Sequence, residues 1–117
     1  IPGFMAQGGG FDQDMNQQAT YAPIKNEGSN GLKNDTATIA MARTNAPDSA
    51  TRQFFINFAD NDFLNAKGGN PGYAVFGKVT EGFDVIQQMA TIPTNRMGRM
   101  SDIPTDPIVI TNVTLLK

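Results

Sequence analysis

Gln53-Phe54-Phe55-Ile56-Asn57-Phe58 reads as a β-strand, and its alternation decides the fold class. Successive strand side chains point to opposite faces. Phe54, Ile56 and Phe58 therefore share one face, assigned to the core. Phe55 points the other way, beside Gln53 and Asn57. An aromatic on the polar face of a strand is a candidate binding surface. It is equally compatible with a loop or helix lying over it, since single outward apolar residues are common.

Working outward, similar short runs recur between turn clusters. Residues 1–8 read as a strand ending in the triple glycine Gly8-Gly9-Gly10. Residues 11–33 are polar and irregular, with Asn30-Gly31 as a turn signal. Residues 36–43 are a strand candidate, and 44–51 form a loop around Pro47. Residues 61–72 are a loop with a Gly-Gly-Asn-Pro-Gly turn, and 73–79 a further strand. On the first strand Met5 and Gln7 share one face, and Phe4 and Ala6 the other. Met beside Gln offers an adaptable apolar cup with an amide handle, or simply core next to a solvated side chain.

One helix is expected. Phe83, Ile86, Met89 and Ala90 fall on a single apolar stripe. Asp84 sits near its start, where the macrodipole favours a carboxylate, and Pro93 lies just past its end. A polar loop then runs to Asp106, and 107–116 reads as a closing strand. Many short strands with one helix suggest a small barrel or sandwich.

The chain has 117 residues, enough for one domain around one core. Hydrophobic residues make up 39% and charged residues 17%, a globular balance. A net charge of −2 gives no basic footprint for nucleic acid, and no apolar run is long enough to span a membrane. No leader pattern is visible, though the sequence opens on Ile1 and any leader would lie upstream. Without Cys there is no disulfide framework or thiol nucleophile. Without His there is no Ser-His-Asp relay and no histidine metal site. An enzyme built from these residues must work through shape, hydrogen bonds and electrostatics.

Several motifs fail. Gly8 and Gly10 give G-x-G, but Gln13 stands at the third glycine position and no long helix follows. Asp12, Asp14, Asp60, Asp62 and Asp84 lack EF-hand spacing. Asp60-Asn61-Asp62 reads as a solvated turn.

Four segments together carry a family resemblance. They are residues 1–11 (IPGFMAQGGGF), 39–43 (IAMAR), 49–56 (SATRQFFI) and 75–79 (VFGKV), the last followed by the helix at Glu81-Gly82. In this order and spacing they resemble the cyclophilins, and the likeness covers essentially all 117 residues. Residues 23–27 (PIKNE) and 60–64 (DNDFL) are most similar to the bacterial branch. The resemblance implies a closed antiparallel β-barrel with capping helices, incomplete here, so that 1–117 form a single domain lacking its N-terminal portion. It also implies prolyl cis–trans isomerisation, with no cofactor.

Position by position, the resemblance places the family's proline pocket on Phe4, Met5, Phe55 and Leu64. Gln7 matches the glutamine that holds the substrate backbone. Ala42 and Arg43 match the segment whose backbone pairs with the peptide, and Gln53 a glutamine that supports the site. Phe63 stands where some members carry a tryptophan linked to cyclosporin binding, which implies weak affinity for such ligands. Tyr73 stands where many have histidine. The family's catalytic arginine falls in a Phe-His-Arg motif upstream of Ile1, so no catalytic residue is expected within this chain. Arg43 and Arg52 are not substitutes by motif position.

Rotation about an X–Pro bond meets a barrier of about 18–20 kcal/mol because it breaks amide resonance. A catalyst need only bind the twisted amide better than either planar isomer. An apolar cup holds the ring, and a donor to the prolyl nitrogen lowers the barrier. The implied partners are proline-containing peptides and unfolded chains, with no nucleic acid or membrane, and an N-terminal segment supplied in trans or by swapping is a further option. The alternatives are a noncatalytic proline-peptide or chaperone-like module, and an unrelated nucleic-acid-binding barrel that the charge disfavours. Bacterial cytoplasm and periplasm both remain open as locations.

Overall fold

The computed structural model describes residues 1–116. The elements are β1 (Met5–Gly8), β2 (Thr38–Met41), β3 (Phe54–Asn57), a 3-10 turn (Asp62–Leu64), β4 (Val75–Lys78), α1 (Phe83–Met89), β5 (Thr94–Met97) and β6 (Met100–Pro104). The first four strands form one antiparallel sheet in the order β1-β3-β2-β4, and β5-β6 is a separate hairpin.

Pro2-Gly3 bends the chain before the first strand. Pro2 restricts φ, Gly3 takes φ 74°, and the Phe4 N–H donates to the Ile1 carbonyl at 3.0 Å. The strand expected from Ile1 therefore starts at Met5. Phe4 is freed from strand alternation and is not confined to the face of Ala6.

The central sheet is held in register by Gln7 opposite Phe55 and Ala40 opposite Phe55 from the other side. Phe55 thus sits mid-sheet, and its face is the buried one. Ala40, Phe55 and Val75 form the core cluster, with Met5, Ala42, Leu64 and Tyr73 packed against it. This corrects the expectation that Phe54, Ile56 and Phe58 face the core. Alternation along the strand holds, but the two faces exchange roles. Phe55 is 4% exposed and Asn57 fully buried, while Phe54, Ile56 and Phe58 are half-buried.

The cause is the segment from Ala59 to Tyr73, which folds across the Phe55 face. It is anchored by the Asn61 N–H on the Asn34 carbonyl at 2.8 Å and closed by the Tyr73 N–H on the Leu64 carbonyl at 2.9 Å. Burying an aromatic such as Phe55 stabilises by roughly 1.5–3 kcal/mol. The opposite face carries Ile39, Met41, Phe54 and Ile56, all half-buried, and Phe76, which is exposed.

The architecture is mainly β and antiparallel, as expected. Among the described residues the sheet is open, with β1 and β4 at its edges, and is not closed into a barrel. α1 follows the expected stripe. Phe83, Ile86, Met89 and Ala90 are half-buried, while Asp84, Val85, Gln87 and Gln88 are exposed. Gly82 opens the helix at φ 79°.

Two expectations fail at the C-terminal end. The polar loop after Pro93 is in fact the hairpin β5-β6, turned by Gly98 at φ 61°. Residues 107–116 make no strand, and Val113, Leu115 and Leu116 are more than 80% exposed. Ile, Val and Thr favour strands because they fit a half-buried pleat beside a neighbour. This segment has no neighbouring strand among the described residues, so propensity alone leaves it unpaired.

Candidate functional site

A hollow of about 220 Å³ opens on the buried face of the sheet. Its floor is Phe55. Met5 and Gln7 enter from β1, Ala42 and Arg43 from the end of β2, Leu64 from the 3-10 turn, Tyr73 from the approach to β4, and Phe4 from the Pro2-Gly3 turn. Sequence neighbours cannot make this surface. It exists because β3 lies between β1 and β2, and because the 59–73 segment crosses over them.

The walls are fixed by specific contacts. Tyr73 meets Phe55 edge to face, with ring centroids 5.9 Å apart, a favoured aromatic geometry. The guanidinium carbon of Arg43 lies 4.4 Å from the Tyr73 ring centroid. Arg43 Nε and Nη2 donate to the Gly72 carbonyl at 3.1 and 2.9 Å, and Nη1 donates to the Thr44 carbonyl at 2.9 Å. The guanidinium is thereby committed to holding the loop. Arg52 is similarly committed, donating to the carbonyls of Gly9 and Ala19.

At the opposite rim the exposed Gln7 donates through Nε2 to Gln53 Oε1 at 2.8 Å. Gln53 therefore supports the hollow without lining it. Phe63 also stands outside. It is 69% exposed and stacks on Phe4 with centroids 5.6 Å apart. Ten residues were singled out in the sequence; eight line the hollow, and Gln53 and Phe63 each touch one that does.

Arg43 is the one charged side chain in the lining, so the hollow presents apolar surface with polar groups at its edge. The carboxyls of Asp12 and Asp60, both exposed and outside it, are held below the ordinary value of 3.8. The main cause is a backbone N–H donated by Asn16 to Asp12 and by Thr36 to Asp60. No cluster of three or more His, Cys, Asp or Glu that could hold a metal occurs among the described residues.

Sequence reading missed the layer behind the hollow. Asn34 and Asn57 are fully buried and Asn61 is 5% exposed. Asn61 thus corrects the solvated turn expected at Asp60-Asn61-Asp62. A signal was present, because Asn57 alternates with Phe55 and must share its burial. A second groove, of about 370 Å³, runs between Ile24, Leu32, Met41 and Phe76 and also reaches Arg43. It contains none of the other nine residues singled out above.

An apolar hollow with amide and guanidinium edges on an antiparallel sheet suits an extended, weakly polar peptide segment. Comparison with known proteins is more specific. The family model described as cyclophilin type peptidyl-prolyl cis-trans isomerase/CLD matches residues 1–115. A peptidyl-prolyl cis-trans isomerase of Acinetobacter baylyi is 58% identical over 97% of this chain and 60% of its own length. Peptidyl-prolyl cis-trans isomerase A of Dickeya dadantii is 52% identical over 100% of this chain and 62% of its own length. Among solved structures, the cyclophilin type peptidyl-prolyl cis-trans isomerase of Cryptosporidium parvum, crystallised in the presence of the dipeptide Ala-Pro, superposes with a TM-score of 0.71. It is 27% identical, over 91% of this chain and 64% of the other.

The chain belongs to the cyclophilin-type peptidyl-prolyl cis-trans isomerase family. It spans about 60% of the length of the Acinetobacter and Dickeya relatives.

Proposed function

We propose that the hollow binds the prolyl ring of an X-Pro segment and serves cis–trans isomerisation of that bond. The observation that carries this reading is the convergence of Phe4, Met5, Phe55 and Leu64 on one hollow, with Gln7 and Arg43 at its rim. The apolar walls hold the pyrrolidine ring, and Gln7 holds the flanking backbone. No covalent step is needed. Rotation requires only that the twisted amide, in which the prolyl nitrogen regains its lone pair, be favoured over both planar isomers. Nascent or unfolded chains containing proline are the corresponding substrates, which makes the role one of assisting folding. The Ala-Pro dipeptide named with the Cryptosporidium relative supports proline as the ligand class. Phe63 lacks the indole N–H of a tryptophan, so cyclosporin-type ligands bind weakly.

A second reading is favoured by one observation. Arg43, which lines the hollow, directs its bonded N–H groups to the backbone carbonyls of Gly72 and Thr44, and Arg52 directs its own to those of Gly9 and Ala19. By itself this lining grips a proline peptide while its one guanidinium is spent on backbone carbonyls, as in a noncatalytic or chaperone-like module. The test is an X-Pro peptide titration run beside isomerisation rates, with and without a synthetic peptide carrying the family's Phe-His-Arg segment. Binding with catalysis only on addition supports the isomerase pocket. Binding without catalysis in either case supports the module. No binding sinks both.

A further inference from the structure

We propose that Asn34, Asn57 and Asn61 are positioning residues that set the spacing of the hollow's walls from behind. The inference rests on the reading of the hollow as a proline site. Buried amides are costly unless hydrogen-bonded, and here every buried side-chain nitrogen or oxygen among the described residues has a partner.

The bonds have a fixed direction. Asn61 Nδ2 donates to the Phe4 carbonyl at 2.9 Å. Asn34 Nδ2 donates to the carbonyls of Tyr73 at 3.1 Å and Leu64 at 3.3 Å. Carbonyls only accept, so both amides must turn their NH2 groups to the wall. Asn57 joins them. Its Oδ1 accepts from Asn61 Nδ2 at 2.7 Å, and its Nδ2 donates to Asn34 Oδ1 at 3.1 Å and to Thr38 Oγ1 at 2.9 Å. The result is one directed chain from Asn61 through Asn57 to Asn34.

The three carbonyls so held belong to three walls of the hollow, Phe4 from the Pro2-Gly3 turn and Leu64 and Tyr73 from the 59–73 segment that crosses the sheet. Asn57 does not line the hollow. Its removal therefore reaches a bound peptide only through the walls. Because the chain has a direction, an ionised carboxylate at position 57 cannot replace the amide, and a neutral acid replaces it only by keeping its proton and giving up the bond to Thr38 Oγ1. A carboxylate still accepts from Asn61, but it sets an oxygen against Asn34 Oδ1.

The experiment uses the 117-residue chain, an Ala-Pro-containing tetrapeptide as probe, and methyl NMR of Met5 and Leu64, at a temperature below every variant's melt. Asn57→Ala and Asn57→Asp are expected to bind the peptide about tenfold more weakly than wild type. They are also expected to displace the Met5 and Leu64 methyl signals in the free protein. Asp12→Ala, which loosens a surface turn outside the network, is the control for destabilisation alone and should bind within twofold. If Asn57→Ala does not fold, Asn61→Ala removes the Phe4 tether and the donor to Asn57 Oδ1 but keeps both Asn34 tethers, and should weaken binding while the Leu64 methyls stay in place. Folded variants that bind like wild type with unmoved methyls overturn the inference and leave the proline site standing. A wild-type chain that does not bind the peptide overturns the proline site itself, and the positioning role with it.

Discussion

Arg43 stands over Tyr73 at 4.4 Å from the ring centroid while two of its nitrogens donate to the Gly72 carbonyl, the residue before that tyrosine. One guanidinium thus fixes both the backbone and the ring of the hollow's outer wall. Lysine offers neither the planar stacking surface nor the paired donors. Arg43→Lys is expected to destabilise nearly as much as Arg43→Ala, about 2 kcal/mol, from charged hydrogen bonds and the cation–π contact together. Tyr73→Phe keeps the ring and should change stability by less than about 0.5 kcal/mol. Chemical denaturation of the three variants checks the order. Arg43→Lys behaving like wild type would sink the account.

Gly72 has a second constraint. Its φ is +65°, and a Cβ there would stand 2.5 Å from the Ala66 nitrogen and 2.7 Å from the Asn65 carbonyl carbon. Those are backbone atoms and cannot swing away. Gly72→Ala should cost more than about 3 kcal/mol, combining the left-handed conformation with a clash. Three residues earlier, Gly69 has open space where its Cβ would be and no positive φ. Gly69→Ala should be neutral or stabilising by up to about 1 kcal/mol, through the unfolded state. Melting curves of the pair separate a requirement for glycine from its mere presence in a turn.

Strand existence and side-chain alternation were legible because they depend on neighbours in sequence. Phe54 and Phe55 were correctly placed on opposite faces. Which face is buried was not legible, because that depends on where residues 59–73 cross, and the crossing is fixed by bonds such as Asn61 to Asn34 that span 27 positions. The same distance hid the buried asparagines, since Asn57 and Asn61 look like ordinary surface amides until Phe55 is covered. The β5-β6 hairpin was missed for a different reason. All four β5 side chains are exposed, so no apolar periodicity marks it. The residues of the hollow were reached through family motifs, since spacing alone does not bring Phe4, Ala42, Leu64 and Tyr73 together.

Asp60 couples this arrangement to pH. Its Oδ1 accepts the Thr36 N–H at 2.8 Å and the Thr36 hydroxyl at 3.0 Å. The backbone bond is the larger cause of a carboxyl pKa held below 3.8. A depressed folded pKa means that the unfolded chain takes up a proton first as pH falls. The stabilisation is fully present above the ordinary carboxylate range and is lost as pH drops through the lower folded value. Asp60→Asn should melt below wild type at pH 7, and the gap should close below about pH 4, near the unperturbed carboxyl value. A gap unchanged down to pH 2 would mean that the charge contributes nothing.

Gln53 and Gly10 give the most direct handle on the Gln7 rim of the hollow. A Cβ on Gly10 would lie 2.5 Å from Gln53 Cδ and 2.6 Å from its Nε2. Gly10 has no positive φ, so alanine there strains no backbone and only pushes a flexible side chain aside. The displaced Gln53 would lose its bond to Gln7 Nε2, and Gln7 would become free to rotate. A net hydrogen bond contributes about 1 kcal/mol, which corresponds to roughly fivefold in affinity. Gly10→Ala and Gln53→Leu should each weaken X-Pro peptide binding by about that factor with little change in melting temperature. Both act by releasing the same Gln7, so the double variant should be no weaker than either alone. Calorimetric titration of the four proteins completes the cycle. Additive losses would show that Gly10 acts on the hollow by another route, and two silent single variants would remove Gln7 orientation from the account of binding.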